Sequence, residues 1–315
     1  MNNKYLPQTI AERLEEKLSR LNNSRPLQKS AFEKLKNHLR MEMTYNSNAI
    51  EGNSLTLRET FLIINEGVTV KGKPLKDHLE ARDHHAALQY LYELVEIDKQ
   101  NTISEQLIRS LHQLTTLTTD KEWAGIYRNA NVIITGASHK PPDALEVPFK
   151  MEELITWLRK NQTKVHIVEL AALLHHRFVH IHPFFDGNGR TSRLLMNVLL
   201  MQKGFPLTII LKHDRKKYYR VLAQADQRNF KPLTLFIAQA VERTLDIYLK
   251  TLTPITENRE KYLSLSDLAK HTPYSAKYLN LLIRKGKLAG HKEGRIWMST
   301  INAVDAYIEK RIRQV

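Results

Sequence analysis

Two apolar stretches with helical spacing, residues 168–178 and Leu194, Leu195, Met196, Val198 and Leu199, flank His182-Pro183-Phe184-Phe185-Asp186-Gly187-Asn188-Gly189-Arg190-Thr191-Ser192-Arg193. The flanks place Gly187-Asn188-Gly189 in a turn that opens the second helix. A helix N-terminus presents unpaired N–H groups and a partial positive charge, which suits phosphate. Glycines let that backbone approach an anion without an intervening side chain. Arg190 and Arg193, three apart in the first turn, can both reach an extended polyphosphate. His182 is the natural general base, and Asp186 an oxygen ligand for a hard cation such as magnesium. The residues alone point to metal-assisted chemistry on a nucleotide phosphate.

The rest of the chain reads as mainly helical. Ile10, Leu14, Leu18 and Leu21 share a face, and Phe32, Leu35, Leu39 and Met43 repeat it after Pro26. Gly52-Asn53-Ser54 ends this stretch, and a helix beginning at Thr56 or Leu57 runs up to Gly67. A turn or short hairpin at residues 71–74 precedes helices over 77–97 and 104–115. One strand-like stretch follows, residues 127–135 between Gly125 and Gly136, with a β-branched Val132-Ile133-Ile134 centre. Further helices are predicted at 148–160, 167–178, 215–225 and 233–249, and a linker at 251–257 around Pro254. His175, His176, His180 and His182 cluster, and His176 to His180 has the spacing of a helical zinc pair. No HExxH-type third ligand accompanies it, so packing, and His182 as a base, are the favoured readings.

The string HPFFDGNGRTSR resembles the signature of the Fic (filamentation induced by cAMP) family, HxFx(D/E)GNGRxxR, at every specified position. The resemblance implies transfer of AMP from ATP to a Ser, Thr or Tyr hydroxyl of a target protein. His182 would deprotonate that hydroxyl and Asp186 would hold Mg2+ on the α- and β-phosphates. Gly187, Asn188, Gly189 and Arg190 would form the anion hole, Arg193 would bind the γ-phosphate, and Phe184 would be a core anchor. The stretch GIYRNANVIITGASHKPP, residues 125–142 with Val132, Ile133, Ile134, Thr135 and Gly136 at its centre, resembles the family's β-hairpin flap, which holds an extended segment of the target by main-chain pairing. Tyr218 and Tyr219 lie where the family often has a tyrosine-bearing helix. They either pack near adenine or belong to the core.

Ser47-Asn48-Ala49-Ile50-Glu51-Gly52 resembles the family's inhibitory motif, (S/T)xxxE(G/N). Ser47 and Glu51 face the same way at i, i+4, and Glu51 closes a helix where the dipole disfavours a carboxylate. The resemblance makes Arg193 its partner, which would occupy the arginine that the γ-phosphate needs. A carboxylate near the α-phosphate could instead orient water and remove AMP from a modified target.

Residues 255–315 carry twelve Lys/Arg against six Asp/Glu. A short helix, a turn capped by Ser275, a helix over 276–285, a two-stranded wing turning at Glu293-Gly294 and a last helix over 300–311 resemble a winged helix-turn-helix. Ser275, Lys277, Tyr278 and Asn280 would then face a DNA major groove and Arg295 a phosphate; alternatively the module docks protein, a second copy of this chain included. The whole chain's net charge of +15 suits polyanionic partners such as nucleic acid, nucleotides or acidic proteins. No apolar run approaches a membrane span, and the absence of cysteine agrees with a cytoplasmic protein.

The expected fold class is therefore mainly α: a helical core with a β-hairpin flap, plus a C-terminal winged helix-turn-helix. The 315 residues divide into an N-terminal helical region (1–110), a catalytic domain (111–250) and the winged module (255–315). The leading expectation is an autoinhibited, magnesium-dependent adenylyltransferase using ATP on a target protein, with the chain itself one candidate target. The alternative is a DNA-binding regulator whose nucleotide domain senses rather than turns over.

Overall fold

The computed structural model describes residues 4–24, 29–97, 103–137, 139–252 and 262–312. The predicted linker around Pro254 lies mostly outside them. Helices α1 (Gln8–Asn23), α2 (Lys29–Glu51), α3 (Leu57–Phe61), α4 (Leu75–Ile97) and α5 (Glu105–Thr116) lead to α6 (Val147–Asn161), α7 (Ile167–Ile181), α8 (Asn188–Gln202), α9 (Arg215–Asp226) and α10 (Lys231–Leu252). Local chemistry sets several of the ends. Thr56 and Glu59 form a capping box at α3, and Ser104 caps α5. One continuous apolar core runs from Leu6 to Leu252 and includes both α1 and α10.

The centre of that core is the α7–α8 pair. Leu170, Ala171, Leu174 and Phe178 of α7 are fully buried, as are Leu194, Leu195 and Val198 of α8. Between them His182 adopts a left-handed conformation, with φ of 50°, at the C-cap of α7. Such a residue costs on the order of 1–3 kcal/mol. Each large apolar side chain fully buried contributes roughly 1.5–3 kcal/mol. Helix packing therefore wins, and it imposes the bend that carries the histidine.

Residues 127–134 differ from the expected hairpin. The chain bends at Asn129-Ala130 and turns at Thr135-Gly136, and none of residues 127–134 joins a β-ladder. Ile133 is 94% exposed. β-branched residues favour extended backbone, yet a ladder needs a second strand, and the neighbouring chain supplies none.

The sheet lies instead in the C-terminal module. Strands β1 (Leu263–Ser264), β2 (His291–Glu293) and β3 (Ile296–Ser299) form an antiparallel sheet in the order β1-β3-β2. Helices α11 (Leu265–Leu268), α12 (Ala276–Arg284) and α13 (Ile301–Ile312) complete it. Ser275 caps α12 as expected, and the wing turns at residues 294–295, one residue later than predicted. The module has its own small core around Leu268, Leu279, Ile283 and Val304.

It does not hang free. Lys17 of α1 lies 2.6 Å from Asp246 and 2.9 Å from Glu242 of α10, and Asp246 also meets His291 of β2 at 2.9 Å. Arg13 donates to Glu242 at 2.6 Å, and the Ile10 side chain packs against Gly286. Burial alone would raise the two carboxyls, but Lys17 beside them holds both below their usual range.

Candidate active site

The neutral form of His182 is built in. Burial lowers its pKa to about 4, although a hydrogen bond to the Val179 carbonyl works the other way. Nδ1 lies 3.4 Å from that carbonyl, which only accepts, so Nδ1 carries the hydrogen and Nε2 keeps the lone pair.

The next turn is braced from inside. Asn188 accepts from Phe184 N–H at 3.0 Å and donates to Phe184 O at 2.8 Å, so its side chain clamps the loop and does not project from it. His112 of α5 stacks on Phe184 with ring centroids 3.5 Å apart. It accepts from Gly125 N–H and donates to the Asp186 carbonyl, both at 2.9 Å. Burial brings its pKa down to about 4, which keeps it neutral for both bonds. Gly187 has φ of 74°, and a Cβ there would strike Thr116.

The Asp186 carboxylate is half exposed. It accepts from Gly187 N–H and lies 3.2 Å from Arg190 and 3.5 Å from Lys76. Burial opposes its ionisation, but Arg190, the Gly187 N–H and Lys76 together outweigh it and the pKa is lowered. Arg190 itself is buried between Asp186 and Glu80 of α4, the latter at 3.4 Å. It does not project beside Arg193 as the helical spacing suggested.

Arg193, also buried, faces the end of α2. Its Nε donates to Ser47 Oγ at 2.9 Å, and its Nη2 donates to Ser47 O and to Glu51 Oε1, both at 2.8 Å. Its Nη1 is buried without a hydrogen-bond partner among the described residues. An arginine holding one carboxylate while keeping a donor unsatisfied is suited to accepting a further anion.

The two tyrosines part company. Tyr218 is fully buried and its hydroxyl bonds His175 at 2.7 Å, so it is a core residue with no face for adenine. Tyr219 is 39% exposed, with its hydroxyl 3.4 Å from Ile50 O beside the Glu51 end of α2.

Val132, Ile133, Ile134, Thr135 and Gly136 lie in the ladder-free segment and turn described above, which is anchored at its base. Buried Arg128 donates to the carbonyls of His182 at 2.8 Å, Ala130 at 3.1 Å and Pro142 at 2.6 Å. His139 Nε2 lies 2.7 Å from His180 O. In the winged module Lys277 and Arg295 are exposed, Tyr278 and Asn280 half-buried, and Ser275 is engaged in its cap. His112, Arg128, Glu80 and Lys76 all escaped the sequence reading. Each is a single polar residue on an amphipathic element or a loop, with no local pattern to mark it.

Fold and site together define a mainly helical domain built round a glycine-rich turn at a helix N-terminus, with a histidine before it and a carboxylate laid over its arginine. Residues 102–200 match the Fic/DOC family. A protein adenylyltransferase Fic of Nematostella vectensis is 35% identical over 269 residues, 84% of this chain and 61% of that protein. One of Aedes aegypti is 36% identical over 246 residues, covering 78% and 48%. The chain thus spans about half to three-fifths of the length of these relatives. A crystal structure of a Fic-domain-containing signaling protein from Bacteroides thetaiotaomicron is 30% identical, with a TM-score of 0.70 over 77% of this chain and 97% of that one. A Fic family protein of Desulfovibrio desulfuricans, 22% identical, shares the fold along 95% of this chain with a TM-score of 0.62. The chain belongs to the Fic/DOC family.

Proposed function

We propose that this chain is a magnesium-dependent protein adenylyltransferase, with itself among its targets, held in an inhibited state by Glu51. The observation that carries the reading is the 2.8 Å bond from Arg193 to Glu51, set at the turn that follows a neutral His182. The adenylyltransferase relatives support the same chemistry.

In the reaction the target hydroxyl oxygen attacks the α-phosphorus of ATP and a new O–P bond forms. The bond from that phosphorus to the oxygen bridging to the β-phosphate breaks, and pyrophosphate leaves. His182 Nε2 takes the hydroxyl proton. The backbone N–H groups at the start of α8 face the accumulating negative charge, where preorganised donors act most strongly. Arg193, once released from Glu51, holds the γ-phosphate and so aligns the α-phosphate. The residues present fit magnesium: a half-exposed, ionised Asp186 beside a phosphate site is the one-carboxylate arrangement that ion favours. When bound, it supplies charge neutralisation on the α- and β-phosphates. The exposed segment around Ile133 offers an unpaired backbone edge for an extended stretch of the target.

Incubation with ATP labelled at the α or the γ position tests this. Label reaching protein from the α position alone is expected; transfer from the γ position alone would mean phosphorylation and would refute the reading.

A further inference from the structure

Sequence spacing singled out His176 and His180 but supplied no third ligand. The fold supplies two. His139, where the flap segment returns to the body, His180 on α7 and Asp226 at the end of α9 each bring a ligand atom within 4.8 Å of the others. His180 Nδ1 lies 3.1 Å from Asp226 Oδ1. The His139 and His180 rings stack, with centroids 3.6 Å apart. His176, one turn before His180 and mostly buried, reaches the same carboxylate oxygen at 2.9 Å.

We propose that His139, His180 and Asp226 form a binding site for a divalent transition metal of the zinc class, separate from the magnesium position at Asp186. Two imidazoles and one carboxylate select such an ion over magnesium or calcium, which prefer all-oxygen shells. Three protein ligands leave a fourth position for water, and all three residues are only partly buried, so solvent reaches them. The surroundings fit as well. His139 Nε2 points its hydrogen at the His180 carbonyl 2.7 Å away, which leaves Nδ1 with the lone pair; ligating histidines commonly donate their other nitrogen in this way. His176 orients the Asp226 carboxylate from the buried side. Here Asp226 Oδ1 already meets His176 and His180, and His139 brings a third imidazole whose ligand atom lies within 4.8 Å of those of His180 and Asp226. A cation uses that convergence.

The consequence is mechanical. His180 lies two residues before His182, and His139 ends the flap segment, so the ion would staple the flap beside the base.

The test uses the full chain without a polyhistidine tag, Zn2+ as the probe, and the variants His139→Gln, in a loop, and Asp226→Asn, which keeps size and one acceptor. Calorimetry should find one zinc per chain, and each variant should weaken it by more than about tenfold, the loss that even an outer-shell change produces. Amide exchange across residues 132–137 should slow on adding zinc in the parent chain and not in His139→Gln. Equal zinc uptake by parent and variants, or none by the parent, overturns the site. Zinc that binds without slowing flap exchange removes His139 from it and overturns the site as drawn. Neither readout involves ATP, so the outcome is independent of the proposed function.

Discussion

Glu51 lies so close over Gly189 that a Cβ on that glycine would overlap its carboxylate, and the same added carbon would sit 3.2 Å from Arg193 Nη1. A carboxylate from the unfavourable end of one helix dipole thus rests on the favourable end of another, at the first turn of α8. It occupies the kind of position that a helix N-terminus offers a phosphate.

Replacing Glu51 by glycine should therefore raise AMP transfer, self-modification included. A hydrogen bond to a charged group contributes about 1.5–3 kcal/mol, so the gain should be roughly 10- to 100-fold. Arg193→Ala in the same background should cancel it. An unchanged or lower rate in Glu51→Gly would dismiss the inhibitory role.

His182→Ala should lower transfer by about 100- to 10,000-fold while leaving ATP affinity nearly unchanged, because a general base acts on the proton and not on the phosphates. Single-turnover labelling and nucleotide titration separate the two. Near-parental transfer would mean that another group takes the proton.

Acid should destabilise the fold well before the carboxylates titrate. Burial holds His85, His112 and His182 down to about 4 and His175 to about 3, whereas an unfolded histidine titrates near 6.5. Between those values the unfolded chain binds more protons than the folded one. Stability is therefore complete above about pH 6.5 and is lost as pH falls toward 4. Melting temperatures at pH 7.5, 6 and 5 should descend in that order; a flat series would contradict the burial of these rings.

Arg128→Ala should detach the flap base, orphaning the carbonyls of His182, Ala130 and Pro142. We expect a loss of at least about 1.5–3 kcal/mol in stability. The KM for a protein target should rise while that for ATP changes little. Equal rises in both would place Arg128 in general folding instead.

Lys17→Met leaves Glu242 and Asp246 buried without their shared cation. Breaking one side of a buried ion pair costs about 3–5 kcal/mol, which a urea midpoint would report. A shift near zero would show that Arg13 and His291 suffice.

Legibility from sequence followed the range of the interactions. The α7–turn–α8 unit was readable because its apolar spacing, glycines and arginines are contiguous. Ser47 and Glu51 were readable because both lie in one helical turn. Arg190 was misplaced because its partner, Glu80, is 110 residues away, and spacing on its own helix says nothing of what that arginine meets. Tyr218 and Tyr219 are adjacent, and only α9's packing against the core decides which is buried. The flap residues have strand-forming side chains, but a ladder depends on a partner strand that no local pattern can supply.

The seating of the winged module on α1 and α10 turns a second domain into a fixed extension of the first. α10 packs against α7, whose C-cap is His182, so the exposed Lys277 on α12 keeps a set bearing from the histidine. A partner settling on α12 would arrive on a jig, not on a tether. On the proposed function, distance and angle would then decide which of that partner's hydroxyls reaches His182.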